Sequence, residues 1–301
     1  MHVYEFPEQD TLDKLRNLPD REQGDIEWPN VIANVSTKSH EKHIIESSFS
    51  LFTNINGTSR IRSGNKELSI CEQTLFLGNP FESFHYHIDS TSRIETLNVH
   101  LNHGTYTRVM YALTQSHETL LDRPTGTQTE YRFSDQLHYK DQRMAQLLSS
   151  FQTGTDEGFF MALIQYCLVL DQREKGRSLM VAATKKSTRD ELGKRMARAR
   201  DHLYGRYMDT TLSVTDVAGE VGMSPYHFIR VFKSVYGVSP YRFIKAIRVE
   251  RAAHLLRTTS IPVKDIALEV GFEEANALYP VFKDHFHSTP QAYRKKLRNF
   301  Q

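Results

Sequence analysis

A repeat in the C-terminal third constrains this chain more than any other feature. Val214-Thr215-Asp216-Val217-Ala218-Gly219-Glu220-Val221-Gly222-Met223 returns as Val263-Lys264-Asp265-Ile266-Ala267-Leu268-Glu269-Val270-Gly271-Phe272, 49 residues on. Val231-Phe232-Lys233 matches Val281-Phe282-Lys283, and Ser239-Pro240 matches Thr289-Pro290, both at an offset of 50. One extra residue inside the second copy accounts for the change. Repeats of this period usually mark stacked solenoid units, but two copies are too few for a solenoid. The unit must have another use.

Each copy has the grammar of a helix-turn-helix. A short helix from Val214 to Val221 places small Ala218 where a second helix passes close. Gly222 can take a positive φ in the tight turn. Ser224 suits the N-cap and Pro225 the first helical position of the next helix. There Phe228, Val231, Phe232, Val235 and Tyr236 recur with helical spacing and face a core. Tyr226, His227, Ile229, Arg230, Lys233 and Ser234 are left on the other face. Such a face suits a major groove, with Arg230 reaching a guanine edge and Ile229 a thymine methyl.

Between the copies, Pro240 to Thr259 reads as one helix carrying Arg242, Lys245, Arg248, Arg251 and Arg257 against Glu250 alone. At ~1.5 Å per residue it spans ~30 Å, close to the ~34 Å of one DNA turn. It is expected to set two recognition helices into successive major grooves. Charge agrees. The formal net charge of +2 hides 21 basic and 12 acidic residues from Lys185 onward, against 17 and 24 before it. A +9 end that binds nucleic acid is joined to a −7 end with another task.

Lys194 to Leu297 resembles the AraC/XylS family of bacterial transcription regulators. The residues that carry the likeness include Arg251-Ala252-Ala253-His254-Leu255-Leu256, Ile261-Pro262-Val263-Lys264-Asp265-Ile266-Ala267, Gly271-Phe272, Leu278, Phe282-Lys283 and Thr289-Pro290. The resemblance implies helix-turn-helix motifs near 216–237 and 265–288. It implies base-reading positions at Tyr226, Ile229 and Arg230 in the first and at Ala275, Asn276 and Tyr279 in the second. Contacts to the DNA backbone are expected from Ser224, His227, Lys233, Lys245, Arg248 and Lys283. The chain departs from the family at Pro280, where many relatives place Arg. A proline beyond the first helical turn kinks a helix, and Glu273 and Glu274 repel phosphate, so sequence specificity is expected to rest mainly on the first motif.

In the N-terminal half, Ser48–Ile55, Thr58–Arg62, Glu67–Cys71, Thr74–Leu77, Ser83–Ile88 and Arg93–Leu101 read as short strands broken by turn signals. Arg60 to Leu68 reads as a hairpin. Ser134–Phe151 and Asp156–Arg173 have helical periodicity and would form a hairpin joined through Gly154, either a lid on the strands or a dimerisation surface. Barrel then helical pair is similar in outline to the cupin-like sensor half of the family, which often binds a small molecule and dimerises. The fold class is therefore α+β in two domains. A cupin-like barrel (about 30–105) and helical hairpin (about 134–173) lie within 1–175, followed by a linker at 176–190 and the DNA-binding domain at 191–301.

His85-Tyr86-His87 invites a metal reading, and Pro80-x-Glu82-x-x-His85 echoes the metal cupins, but Glu82 stands for their glycine. The upstream His-x-His is not in place, with only His40 and His43 nearby, so no metal and no cofactor are expected. A ligand pocket is expected among Phe49, Leu51, Thr53, Phe84, His85 and His87. Two separated cysteines, Cys71 and Cys167, argue against a disulfide scaffold or zinc knuckle. No apolar stretch is long enough to span a bilayer, and no signal segment is evident. The expected protein is a bacterial cytoplasmic homodimer rather than an enzyme, found at the nucleoid when bound. Its expected partners are double-stranded promoter DNA, RNA polymerase and a small-molecule effector. The alternatives are control by a protein partner or by abundance with no ligand and, more remotely, a metal-dependent cupin enzyme fused to a DNA-binding domain.

Overall fold

A computed structural model describes residues 2–6, 30–44, 47–123, 126, 131–150, 157–178 and 185–298. The chain forms two compact units, Met1–Lys175 and Gly176–Gln301. The first is sheet-rich and the second helical, an α+β protein in two domains.

The first unit holds β1 (His2–Val3), β2 (Val31–Ile44), β3 (Phe49–Asn56), β4 (Ser59–Ser63), β5 (Lys66–Ile70), β6 (Thr74–Gly78) and β7 (Phe84–Leu101). These are followed by α1 (His103–Thr114), α2 (His117–Asp122), β8 (Leu137–Tyr139), α3 (Gln142–Ser149) and α4 (Glu157–Ser178). The sheet runs β1-β2-β7-β3-β6-β8. β7 organises it, pairing with β2 along one edge and with β4 and then β3 in succession along the other. The two strands expected at Ser83–Ile88 and Arg93–Leu101 are one strand, whose ladder with β2 slips between Thr37 and Ser39. There two steps along β2 match five along β7, and the strand runs on through the irregularity.

Both sheet faces are covered, so β6 is buried throughout and β3 from Phe49 to Asn54. One face carries Phe49, Leu51, Leu75, Leu77, Leu97 and Val99 into a core shared with Tyr106, Met110, Leu163 and Ile164. The other encloses a cluster of rings. Phe52 lies 5.3 Å from Tyr86, 6.3 Å from Phe84 and 5.5 Å from His100, centroid to centroid. Phe6 stacks on His40 at 3.9 Å beside them.

The six residues expected to line one pocket are therefore divided. Phe49 stacks on Tyr106 at 4.9 Å, Leu51 joins the helix-side core, and Thr53 on the same face bonds the Thr74 carbonyl. Phe84 faces the ring cluster. His85 and His87 share the opposite side of their strand, where His85 pairs with Glu41 at 2.8 Å. Strand alternation separates neighbours that the pocket reading had put together.

Two helical expectations also change. Over Ser134–Phe151 the helix begins only at Gln142, because Asp141 is its N-cap and accepts from the Met144 amide at 3.0 Å. Leu137–Tyr139 joins the sheet on β6 instead. Buried Asp171 on α4 ties this stretch down, accepting from the Tyr131 hydroxyl, the Ser134 amide and Lys175 Nζ at 2.8, 2.9 and 2.7 Å. The expected joint at Gly154 lies outside the described residues. Of the linker expected at 176–190, residues 176–178 belong to α4 and 186–190 to the next helix, and 179–184 lie outside the described residues.

The second unit comprises α5 (Lys186–Gly205), α6 (Val214–Glu220), α7 (Pro225–Tyr236), α8 (Pro240–Thr258), α9 (Val263–Glu269), a 3-10 turn (Ala275–Ala277), α10 (Leu278–Phe286) and α11 (Pro290–Arg298). Its core lies along α8 in two parts, one on each half of the helix. Phe243, in the first half of α8, meets Tyr204, Phe232 and Tyr236 at 5.4–5.6 Å. The second half gives Val249, Ala252, Ala253, Leu255 and Leu256 to a core with Ile266, Val270, Leu278 and Phe282. Helix α8 is thus a shared core helix, not a solvated basic rod.

Candidate nucleic-acid interface

The first copy of the repeat builds α6, a turn and α7. A capping box starts α6, with Ser213 Oγ accepting from the Asp216 amide and the Asp216 carboxylate accepting from the Ser213 amide. The Ser213 amide first, and the Ser213 hydroxyl donating to the same carboxylate at 2.8 Å second, hold the Asp216 carboxyl below its usual range. Val217 and Ala218 are buried, so α7 can cross close to α6. Gly222 takes φ +63° in the turn. From α5, Arg195 Nη1 donates to the Gly222 carbonyl at 3.2 Å, and Arg195 Nε is held by Glu191 at 3.0 Å.

Ser224 and Pro225 occupy the N-cap and first position of α7. The Ser224 side chain makes no capping bond, leaving its hydroxyl and the first-turn amides directed at whatever lies before the helix. Phe228, Val231, Phe232 and Val235 are buried. Tyr226 is 79% exposed and Ile229 39%. Arg230, Lys233 and Ser234 are exposed and His227 half-buried. The base-reading trio expected for this motif stands on one solvent-facing helix surface.

The second copy differs at its recognition helix. The 3-10 turn at Ala275–Ala277 precedes α10, which begins at Leu278. Pro280 is therefore third in the α-helix, within the first turn, where amides have no intrahelical acceptor. The kink expected from a proline beyond the first turn does not follow, because the α-helix starts later than the repeat suggests. Asn276 is exposed and Ala275 half-buried in the 3-10 turn. Tyr279 is half-buried, with its hydroxyl accepting from the Gln291 side chain. Glu273, Glu274, Lys283 and Asp284 are exposed.

The expected backbone contacts divide likewise. Lys233 and Lys283 are exposed on the two recognition helices. Lys245 lies half-buried, 4.3 Å over the Tyr241 ring. Arg248 turns inward, its Nε donating to the Tyr207 carbonyl at 2.7 Å and its Nη2 to the Asp209 carbonyl at 3.0 Å. Arg251 is only 6% exposed. The expectation of an outward Arg248 is corrected, because helical spacing from Arg242 and Lys245 does not reveal a loop brought against α8.

Sequence reasoning missed Arg195 and the Arg206–Thr211 loop. Both precede the first copy of the repeat. The Glu191–Arg195 spacing of four was a legible ion pair, but nothing in it pointed to the turn at Gly222. Among the described residues, no three or more His, Cys, Asp or Glu side chains gather as a metal site, and no helix is long and apolar enough to cross a membrane.

A family described as a helix-turn-helix domain matches residues 217–296. Transcriptional regulator Rob of Salmonella typhimurium is 37% identical over 89 residues, 30% of this chain and 31% of Rob. This chain thus spans about a third of the length of that relative. Regulatory protein SoxS of Escherichia coli is 33% identical over 91 residues, 30% of this chain and 85% of SoxS. Among solved structures, the DNA-binding domain of the global transcriptional factor AdpA in complex with a target DNA is 31% identical. It covers 36% of this chain and 95% of its own, with a TM-score of 0.32. SoxS is covered nearly end to end by a segment holding two helix-turn-helix units on one shared helix, and the chain belongs to the AraC/XylS family of DNA-binding transcription regulators.

Proposed function

We propose that this chain regulates transcription by seating α7 and α10 in successive major grooves of a promoter duplex, with RNA polymerase as partner. Tyr226, Ile229 and Arg230 read bases in the first groove, and Ala275, Asn276 and Tyr279 read the second more weakly. Ser224, His227, Lys233 and Lys283 hold the phosphates, Lys245 less so. The exposed Tyr226–Ile229–Arg230 surface on a helix whose other face is fully buried carries this reading. An apolar and an aromatic residue beside an arginine, exposed on a rigid helix, match groove chemistry better than a solvated face. Selection of duplexes from random DNA by the full chain tests it. A recovered motif whose affinity falls steeply with salt is the expected outcome. Recovery of no motif at moderate salt refutes the proposal.

The first unit, cupin-like in outline, is the proposed sensor and dimerisation domain. Its ring cluster includes polar atoms that favour a polar effector. Among the described residues, His40 Nε2 and Asn98 Oδ1 are buried without a hydrogen-bond partner, and groups of that kind are normally satisfied by something. Burial first, and Lys42 second, press His100 down to about 4, so its ring is neutral, with Nδ1 bonded to Ser50 Oγ at 2.8 Å. The close packing of Phe52, Phe76 and Phe84 favours the second reading, a ligand-free module controlled by a protein partner or by abundance. A saturable rise in melting temperature with a small polar compound supports the sensor. A complete absence of shifts across a broad metabolite panel supports the module.

A further inference from the structure

The two helix-turn-helix units have separate cores on successive halves of α8. Its side chains Ile244 and Ile247 precede the changeover, and Val249 and Ala252 follow it. A helix shared this way leaves one freedom, the swing of one lobe against the other about its middle. Arg248 sits at that point. Its guanidinium holds the Tyr207 and Asp209 carbonyls at 2.7 and 3.0 Å, on the loop that leaves α5 in the first lobe. The same guanidinium lies 5.9 Å over the ring of Phe272 in the turn of the second motif.

The other side of that loop is fastened as well. Gly271 has φ +94°, and a Cβ there would lie 2.7 Å from the Tyr207 carbonyl oxygen and 2.9 Å from Met208 Cα. The second motif's turn thus rests directly on first-lobe backbone. The loop has little freedom of its own. The Asp209 carboxylate accepts from the Thr211 amide and hydroxyl at 2.9 and 2.7 Å and pairs with Arg206.

We infer that Arg248 and Gly271 clamp the 207–209 loop between them and so fix the distance and angle between α7 and α10, making them determinants of half-site spacing. They are positioning residues and touch no DNA. The inference rests on the reading that both helices enter grooves, and one arm of its test needs no DNA.

That arm uses the full chain carrying spin labels at Lys233→Cys and Asp284→Cys, exposed positions on the two recognition helices. Cys71 and Cys167 are buried and leave the labels unambiguous. One narrow inter-label distance is expected. Arg248→Gln and Gly271→Ala should each broaden or displace it, while Arg248→Lys, which keeps the charge but not the two-bond fork, should do so partly. An unchanged distribution in folded Arg248→Gln and Gly271→Ala overturns the clamp.

The second arm compares a wild-type-selected two-half-site duplex with the same duplex after one half is scrambled. Arg248→Gln should lose about tenfold on the intact duplex and stay within about twofold on the scrambled one. It should also tolerate one inserted base pair better than wild type. An equal loss on both duplexes, with a salt slope shallower by about 1, makes Arg248 a phosphate contact and overturns the clamp. A wild type that prefers neither duplex counts against the two-groove reading, and the label distances still decide the clamp.

Discussion

Gly222 and Gly271 occupy the same place in the two copies of the repeat, yet they are held there for different reasons. Gly222 takes φ +63° with only Arg195 Nη1, at 3.7 Å, near the position of a Cβ. Gly271 takes φ +94° with first-lobe backbone 2.7–2.9 Å from that position. The first turn needs glycine for its backbone angle, and the second needs it for angle and space together. The turn of one repeat unit, used twice, thus meets a side chain in its first copy and packed backbone in its second. The largest expected effect tests this. Gly271→Ala should cost about 2–4 kcal/mol in urea unfolding, and Gly222→Ala about 1–2 kcal/mol, the αL penalty alone. Equal costs would dissolve the distinction.

The recognition helices carry the contrast into function. Helix α7 has 12 residues and presents Tyr226, Ile229 and Arg230 from its first two turns. Helix α10 has 9, and Ala275 and Asn276 fall in the 3-10 turn before it. A side chain on a regular α-turn is aimed more reproducibly than one on a single 3-10 turn, and Arg230 can make a bidentate contact. Arg230→Ala should cost about 1–3 kcal/mol of binding and relax one base position. Asn276→Ala should cost less, under about tenfold in affinity. Fluorescence anisotropy on a selected duplex and its single-base variants measures both. If Asn276→Ala abolished preference while Arg230→Ala preserved it, the ranking of the motifs would be reversed.

The ends of these two helices differ in a way the offset of 50 makes visible. Gly237 closes α7 at φ +77°, and His287 closes α10 at φ +52°. Glycine adopts the left-handed region freely, whereas a side chain there costs about 1 kcal/mol. His287→Gly should therefore stabilise the protein by about 1 kcal/mol, less whatever unfolded-state entropy glycine adds. Gly237→Ala should destabilise it by a similar amount. Thermal melts of the two variants, moving in opposite directions, are the check. A destabilised His287→Gly would mean that the histidine makes a contact worth more than its backbone strain.

How much of this was readable beforehand depended on whether the deciding contacts were local. The caps at Ser224 and Pro225, the turn glycines and the buried stripe of α7 are set within a few residues of each other, and the sequence displays them. Arg248 does not declare its direction, because its partners lie 39 and 41 residues away. Neither does the start of α3, where Asp141 and the pairing of Leu137–Tyr139 with β6 override a helical pattern running through Ser134. In the sheet the spacing of turns exposed the strands, but not which side each side chain faced. Phe84 and His85 were placed together for that reason, although a strand always separates neighbours. The single strand from Phe84 to Leu101 was hidden by polar Asp89–Arg93 in its middle, which is exposed or half-exposed where the ladder with β2 slips.

Pro280 gives the smallest expected effect and the most direct test of why α10 is short. As the third residue of the helix it forfeits no intrahelical hydrogen bond, and its fixed φ suits a first turn. Pro280→Ala should then destabilise by no more than about 1 kcal/mol, through the added freedom of the unfolded chain, and leave DNA affinity within about twofold. Pro280→Arg should instead strengthen binding modestly. Position 280 is exposed, one turn before Lys283, so an added cation should steepen the salt dependence by about 1 in slope. These variants separate two accounts of the second motif. If it is weak because it lacks a cation at this position, only the arginine variant gains. If the proline distorts the helix and misaims Asn276, alanine gains as well and sharpens base preference at that half-site. Helix α10 starts late enough to accommodate the ring, so the gain should belong to Pro280→Arg alone.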